Sequence, residues 1–198
     1  MPWVEATATL RGATVVLDDR VVLREVDLLA GPGITVVRGR NGAGKTTLLR
    51  ALAGLVPLRS GTREVWGGLL YLGHRPQLHR ALTATENLTF FARYRGLRSD
   101  GISAALAAWG VVDTDRPVER LSAGQRRRTS LARMDVEGTG VLLLDEPFAE
   151  LDDEGARILL ERIEGSAAQG RTLLIATHAH EELRSHPTLT VADGRLTR

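Results

Sequence analysis

The chain contains no cysteine among its 198 residues, which removes disulfides and thiolate metal sites from consideration. Aromatic side chains are scarce at 4%, and none falls between Trp3 and Lys45. No apolar run approaches the ~20 residues that a membrane-spanning helix needs. The opening Met1-Pro2-Trp3-Val4-Glu5 has neither the basic start nor the apolar stretch of a secretory signal, so a cytosolic chain is expected. A large charge of one sign is also lacking. The 26 Lys and Arg against 24 Asp and Glu leave a net charge of +2, so no nucleic-acid partner is expected. Lysine itself is nearly missing: 25 of the 26 basic residues are Arg, and the single Lys is Lys45. What remains is ordinary globular composition, 43% hydrophobic and 25% charged, which excludes a disordered or collagen-like chain. The length suits one domain with room for an inserted subdomain.

The apolar pattern predicts an α/β fold. Weak alternation over residues 4–10, 15–17 and 21–23, with a turn at Asp18-Asp19, predicts a small N-terminal antiparallel sheet. Residues 34–37, 69–72, 141–144 and 172–176 are short, continuous apolar runs separated by helical segments, the pattern of a mostly parallel core sheet. Leu48, Leu49, Leu52 and Ala53 recur at helical spacing after Lys45, and Gly54 ends that helix. From about 78 to 137 an inserted helical subdomain is expected. Thr83 and Glu86 form a capping box for a helix to about Tyr94, and Ser99-Asp100 can cap another over 102–109. Residues 189–197, turning at Asp193-Gly194, read as a closing hairpin.

Three motifs carry chemistry. Gly39-Arg40-Asn41-Gly42-Ala43-Gly44-Lys45-Thr46 fits the phosphate-loop pattern, with a β-branched strand before it and a helix after it. Its glycines let successive backbone N–H groups face phosphate oxygens, and the helix start adds its positive end. Lys45 is expected to reach the β- and γ-phosphates and Thr46 to ligate Mg2+, with Asn41, Ala43 and Thr47 completing the nucleotide-binding loop. About 100 residues later a second apolar strand ends in Asp145-Glu146. Asp145 is expected to hold Mg2+ through water, and Glu146 to orient or deprotonate an attacking water. The third motif is Leu121-Ser122-Ala123-Gly124-Gln125, where Ser122 and Gln125 make an S-x-x-Q capping box for a helix to about Met134. It reads either as a well-capped helix alone or as a second anion site at a helix end.

Taken in order, phosphate loop, LSAGQ before an Arg-rich helix, and strand-Asp-Glu resemble the ATP-binding cassette (ABC) family, over nearly the whole chain. The resemblance implies a P-loop NTPase of ABC type that hydrolyses ATP with Mg2+. It implies that Gln77 touches Mg2+ and senses nucleotide, that Asp152 sits on a short loop crossing to a partner subunit, and that His178 contacts the γ-phosphate. Catalysis would then rest on Glu146, His178 and Lys45. It also implies a head-to-tail homodimer in which the phosphate loop of one subunit and the Ser122, Gly124 and Gln125 segment of the other enclose each ATP.

The segments 72–76, 82–91 and 121–133 are more narrowly similar to the ATPase subunits of cytochrome c maturation haem exporters. That likeness implies integral membrane permease partners and a peripheral place on the cytoplasmic side of the inner membrane. Other ABC-2-type exporters and soluble cassette ATPases are the alternatives. A GTPase is excluded, because its guanine-reading N-K-x-D motif needs a second Lys. Two departures from the family are visible. The usual adenine-stacking aromatic is replaced at about Leu17, which predicts weak base discrimination, and the connection over 61–71 is short. In the Arg126-Arg127-Arg128 run, one guanidinium is expected to pack and two to be solvated. Phe90, Phe91 and Tyr94 are read first as core of the helical subdomain, with a groove for a partner's helix as the alternative.

Overall fold

Asp18 and Asp19 both take positive φ, 47° and 59°, a two-residue turn whose twist suits a tight hairpin. In the computed structural model, which describes residues 6–178 and 181–197, this turn joins β1 (Thr7–Leu17) to β2 (Arg20–Ala30). Trp3 and the Met1–Glu5 opening lie outside the described residues. After β3 (Gly33–Arg38), the chain returns to the small sheet as β4 (Ser60–Trp66), antiparallel to β1. The resulting order is β2-β1-β4. No pattern in 60–66 predicts β4, because six of its seven residues are exposed and it has no apolar face to advertise.

The larger sheet has the order β5-β6-β7-β3-β8-β9, adding β5 (Leu69–Leu72), β6 (Val141–Asp145), β7 (Thr172–Ala176), β8 (Thr188–Ala192) and β9 (Arg195–Thr197). The first five are parallel, and β9 turns back antiparallel at the expected hairpin. β6 and β7 are buried at every position, which is why their sequences run apolar without alternation. Helix α1 (Lys45–Ala53) buries Leu48, Leu49 and Leu52, and Gly54 closes it at a φ of 71°.

The chain divides into two compact units, Met1–Gly73 with Thr139–Pro147 and Ile163–Arg198, and His74–Gly138 with Phe148–Arg162. The second is helical: α2 (Ala84–Tyr94), α3 (Ile102–Ala108), α4 (Ala123–Leu131), α5 (Arg133–Val136) and the start of α6 (Asp153–Ala168). The Thr83 box forms in full, Glu86 N–H donating to Thr83 Oγ1 at 3.1 Å and Thr83 N–H to Glu86 Oε2 at 2.8 Å. Asn87, fully buried, donates to the carbonyls of His79, Leu82 and Thr83 and accepts from His79 N–H, so it fixes the turn before α2.

Several local expectations are corrected. Gly101, not Ser99 or Asp100, precedes α3, and Asp100 is drawn instead to Arg98 at 2.6 Å. The α4 helix is interrupted at Ala132 rather than running to Met134. Two of the three consecutive arginines are buried, Arg127 and Arg128, because acceptors on other segments are available to them. Phe90 and Tyr94 are exposed, 45% and 82%, and only Phe91 is half-buried, beneath the Arg133 guanidinium at 3.6 Å from its ring centre. Among the described residues no helix is long and apolar enough to cross a membrane.

Candidate functional site

The loop between β3 and α1 is held open by three glycines that no other residue could replace cheaply. Gly39, Gly42 and Gly44 have φ values of 151°, 78° and 110°, and a Cβ on Gly39 would lie 2.4 Å from the Val191 carbonyl oxygen. This backbone delivers Lys45, only 7% exposed, to the mouth of the loop. Its Nζ donates to Gly39 O at 2.9 Å and Arg40 O at 3.4 Å. A concentrated positive charge thus faces a helix start that carries no acidic residue in its first turn. Asn41 is exposed at the rim of the loop, Ala43 donates its N–H to Arg40 O at 3.1 Å, and Thr47 is half-buried one residue beyond Thr46.

Register in the parallel sheet brings the acids to the same place. Thr46 Oγ1 donates to Asp145 Oδ1 at 3.1 Å, across 99 residues of sequence. Asp145 is 1% exposed, and its Oδ2 accepts from the Tyr71 hydroxyl at 3.3 Å. Burial, above all, pushes the Tyr71 phenol up from its usual range, so the hydroxyl keeps its proton and remains a donor. Arg50 Nε donates to the same hydroxyl at 3.4 Å. Sequence reasoning passes over Tyr71 as a site residue. Its signal was a single polar tip in the otherwise apolar 69–72 run.

Glu146 follows Asp145 with a φ of 47°, strained for a non-glycine residue, and its N–H is tied to Ala176 O at 2.8 Å. The turn carries its carboxylate to His178, whose Nε2 lies 3.2 Å from Glu146 Oε1 and 3.4 Å from Lys45 Nζ. One nitrogen cannot serve both: a bare Nε2 accepts from Lys45, and a protonated one donates to Glu146. Lys45, Thr46, Asp145, Glu146 and His178 therefore converge in the first unit. Beside the loop lies a cavity of about 710 Å3 lined by Val21, Val22 and the arginines Arg20, Arg24 and Arg40 among others. Leu17 is not among its lining residues, whereas Arg20, its partner across the hairpin, and the Val21 and Val22 that follow are.

The remaining expected residues belong to the second unit. Gln77 is exposed on the segment before α2. Ser122 caps α4, accepting from Gln125 N–H at 3.2 Å, but the reciprocal half of the expected box is absent. The Gln125 side chain bridges elsewhere, accepting from Val112 N–H at 3.2 Å and donating to Gly110 O at 3.1 Å. Gly124 approaches the Glu150 carbonyl so closely that a Cβ would sit 3.2 Å away. Asp152 caps α6 through Gly155 N–H at 2.9 Å. Among the described residues no cluster of three His, Cys, Asp or Glu could hold a metal ion.

The sequence profile of the ABC transporter family matches residues 25–149 of this chain. The chain belongs to the ABC transporter family. Its match to that family, an ATP-binding one, identifies it as an ABC-type ATPase domain. A curated relative from Paracoccus denitrificans, a cytochrome c biogenesis ATP-binding export protein, is 47% identical over 74% of this chain and 70% of its own. Relatives of the same name from Yersinia pestis and Nitrobacter winogradskyi are 37% and 42% identical, covering 89% and 84% of this chain and 88% and 89% of their own. Among solved structures, a dimeric ATP-binding cassette in a post-hydrolysis state with ADP and phosphate superposes with a TM-score of 0.88 at 19% identity, covering 96% and 97% of the two chains. An ATP-binding subunit of an ABC transporter gives 0.86 at 22% identity, over 96% and 88%. These two establish the α/β cassette fold, with its parallel core sheet and its antiparallel sheet.

Proposed function

We propose that this chain is the ATP-hydrolysing subunit of an exporter serving cytochrome c biogenesis, of the haem-exporter type. It works as a head-to-tail homodimer around two ATP molecules, on integral membrane permease subunits at the cytoplasmic face of the inner membrane. The observation that carries this reading is the convergence of Lys45, Thr46, Asp145, Glu146 and His178 at one strand-end site. The shared name of the three curated relatives favours cytochrome c biogenesis over another ABC-2-type exporter.

In this reading Lys45 and the backbone of Gly39, Asn41, Gly42, Ala43, Gly44, Thr46 and Thr47 hold the phosphates. Glu146 orients and deprotonates the attacking water, and His178 donates toward the γ-phosphate. The Thr46 hydroxyl and Asp145 carboxylate, 3.1 Å apart and both oxygen donors, fit Mg2+, which takes one or two protein oxygens and leaves its other positions to phosphate and water. Bound there, the ion would neutralise charge on the β- and γ-phosphate oxygens. In the family's pattern Gln77 would be a further ligand of the ion. Ser122, Gly124, Gln125 and Asp152 close on the nucleotide of the opposite subunit, and residues from about 78 to 137, which fall within the second unit, are the inserted helical subdomain.

For the membrane partner we propose the apolar cavity of about 510 Å3 on α2, lined by Glu86, Thr89, Phe90, Arg93 and Tyr94. Exposed aromatic rings flanked by charge are the usual anchors of a protein interface. The test is co-purification from detergent-solubilised membranes. The native chain is expected to retain its permease subunits, and Tyr94→Asp to lose them while binding ATP with unchanged affinity. Retention of the permease by Tyr94→Asp would rule out this surface, and absence of any haem-handling membrane subunit from the native preparation would rule out the exporter assignment.

The nucleobase gives a separate prediction. Among the described residues no aromatic side chain lines the cavity beside the loop, and its arginines only donate hydrogen bonds, which suits guanine O6 and N7 at least as well as adenine. GTP is expected to compete for the site within about threefold of ATP. Preference for ATP by more than tenfold would contradict it.

A further inference from the structure

Arg128 is 4% exposed, and a buried guanidinium is tolerated only when its donors are matched. Its Nη2 donates to Asp152 Oδ1 at 2.5 Å and to Glu154 Oε2 at 3.3 Å, and its Nη1 to the Trp109 carbonyl at 3.4 Å. The acids are not buried with it: their side chains are 70% and 65% exposed. A fixed cation beneath the surface therefore holds two acids that water would otherwise leave free to move. The Arg128 guanidinium, helped by Gly155 N–H, draws the Asp152 carboxyl below the usual carboxylate range. The room for this fork is built in. A Cβ on Gly110 would lie 2.4 Å from Arg128 Nη1, and one on Gly155 3.1 Å from Nε.

Arg128 lies on the same helix, α4, as the Ser122 cap and Gly124. Gly124 already touches the Glu150 carbonyl region of the 148–152 loop, and Gln125 braces α4 against Gly110 and Val112. We infer that Arg128 is a positioning residue that locks the loop carrying Asp152 to the helix carrying Ser122, so that both elements reach the opposite subunit's nucleotide in one geometry. This rests on the head-to-tail dimer proposed above. Arg128 touches no phosphate and acts through Asp152. A lysine cannot replace it, because one ammonium cannot address two carboxylates and a carbonyl through a planar fork. ATP binding at the Lys45 loop is independent of Arg128, whereas closure of the dimer depends on it.

The experiment measures ATP affinity and ATP-driven dimerisation separately, in the full chain carrying Glu146→Gln so that ATP persists. Ser122→Arg, which places a guanidinium at the helix end, marks complete loss of closure. Arg128→Lys is expected to bind ATP within twofold of the parent and to dimerise at least tenfold more weakly. Asp152→Asn is expected to lose a similar factor, and the double variant to be within twofold of the weaker single one, because the two side chains act as one unit. Dimerisation of Arg128→Lys within twofold of the parent overturns the inference. So does a parallel loss of ATP affinity, which marks a merely structural role, or multiplication of the two losses in the double variant. Should Arg128→Lys fail to fold, Glu154→Gln decides, at an exposed partner of Arg128 with no place in the nucleotide site: unchanged dimerisation overturns the inference, and a severalfold loss at constant ATP affinity supports it. A parent that stays monomeric with ATP overturns the dimer reading itself and the inference with it, an outcome distinct from a parent that closes and a variant that closes equally well.

Discussion

Replacing Lys45 with alanine is expected to weaken ATP binding by at least about 100-fold, an estimate of about 3 kcal/mol from losing charge-assisted hydrogen bonds. The ammonium is 7% exposed and is held by two neutral carbonyls, Gly39 O at 2.9 Å and Arg40 O at 3.4 Å. Neutral acceptors are weak competitors for a cation, so phosphate oxygens entering the loop recruit Lys45 at little cost. Arginine does not serve in its place. A planar guanidinium is wider than the slot between those carbonyls and His178 Nε2 at 3.4 Å, and Lys45→Arg is expected to lose nearly as much affinity. A chain that writes its other 25 Lys and Arg positions as Arg has Lys at this one. That solitude supplies the measurement: amine-directed reagents modify a single side chain, and saturating ATP is expected to protect it. Lys45→Ala binding ATP within threefold of the native chain, or labelling indifferent to ATP, would remove Lys45 from the site.

How far the sequence reveals such a site depends on whether its parts are local. The β3-loop-α1 unit was fully legible, because a β-branched run, positive-φ glycines and a helical Leu pattern are contiguous and each has its own physical cause. The Asp145-Glu146 pair was legible as the end of an apolar run, but its distance to Thr46 was not, since parallel pairing of β3 with β7 and of β7 with β6 sets it. Tyr71 stayed hidden for the same reason: it reaches Asp145 from a neighbouring strand. β4 is held by backbone pairing to β1 and exposes nearly every side chain, so no periodicity marks it. The arginine run misled because helical geometry points three adjacent residues three ways, so only one was expected to pack, whereas both Arg127 and Arg128 find acceptors, at His74 and Asp152, far along the chain. Phe90 and Tyr94 misled in the opposite sense, being aromatic at helical spacing yet exposed.

Glu146→Gln is expected to lower the ATP turnover rate by about 10^2 to 10^4, the usual contribution of a general base, while leaving ATP affinity within a few-fold. The substitution keeps shape. The backbone at Glu146 is set by its φ of 47° and its N–H to Ala176 O at 2.8 Å, neither of which involves the carboxylate. What disappears is the proton acceptor that stands 3.2 Å from His178 Nε2, together with a negative charge beside the entering γ-phosphate. Losing that charge removes a repulsion, so binding does not suffer although chemistry does. In the proposed dimer, breaking the γ-phosphate bond releases the contacts made across it, so blocking hydrolysis is expected to accumulate the closed dimer, which gel filtration in ATP reads as a doubling of mass. Single-turnover kinetics separates this from slow product release, since a lost base slows the first turnover as much as the later ones. Hydrolysis at the native rate by Glu146→Gln would transfer the role to His178, whose Nε2 lies 3.2 Å from Glu146 Oε1 and 3.4 Å from Lys45 Nζ.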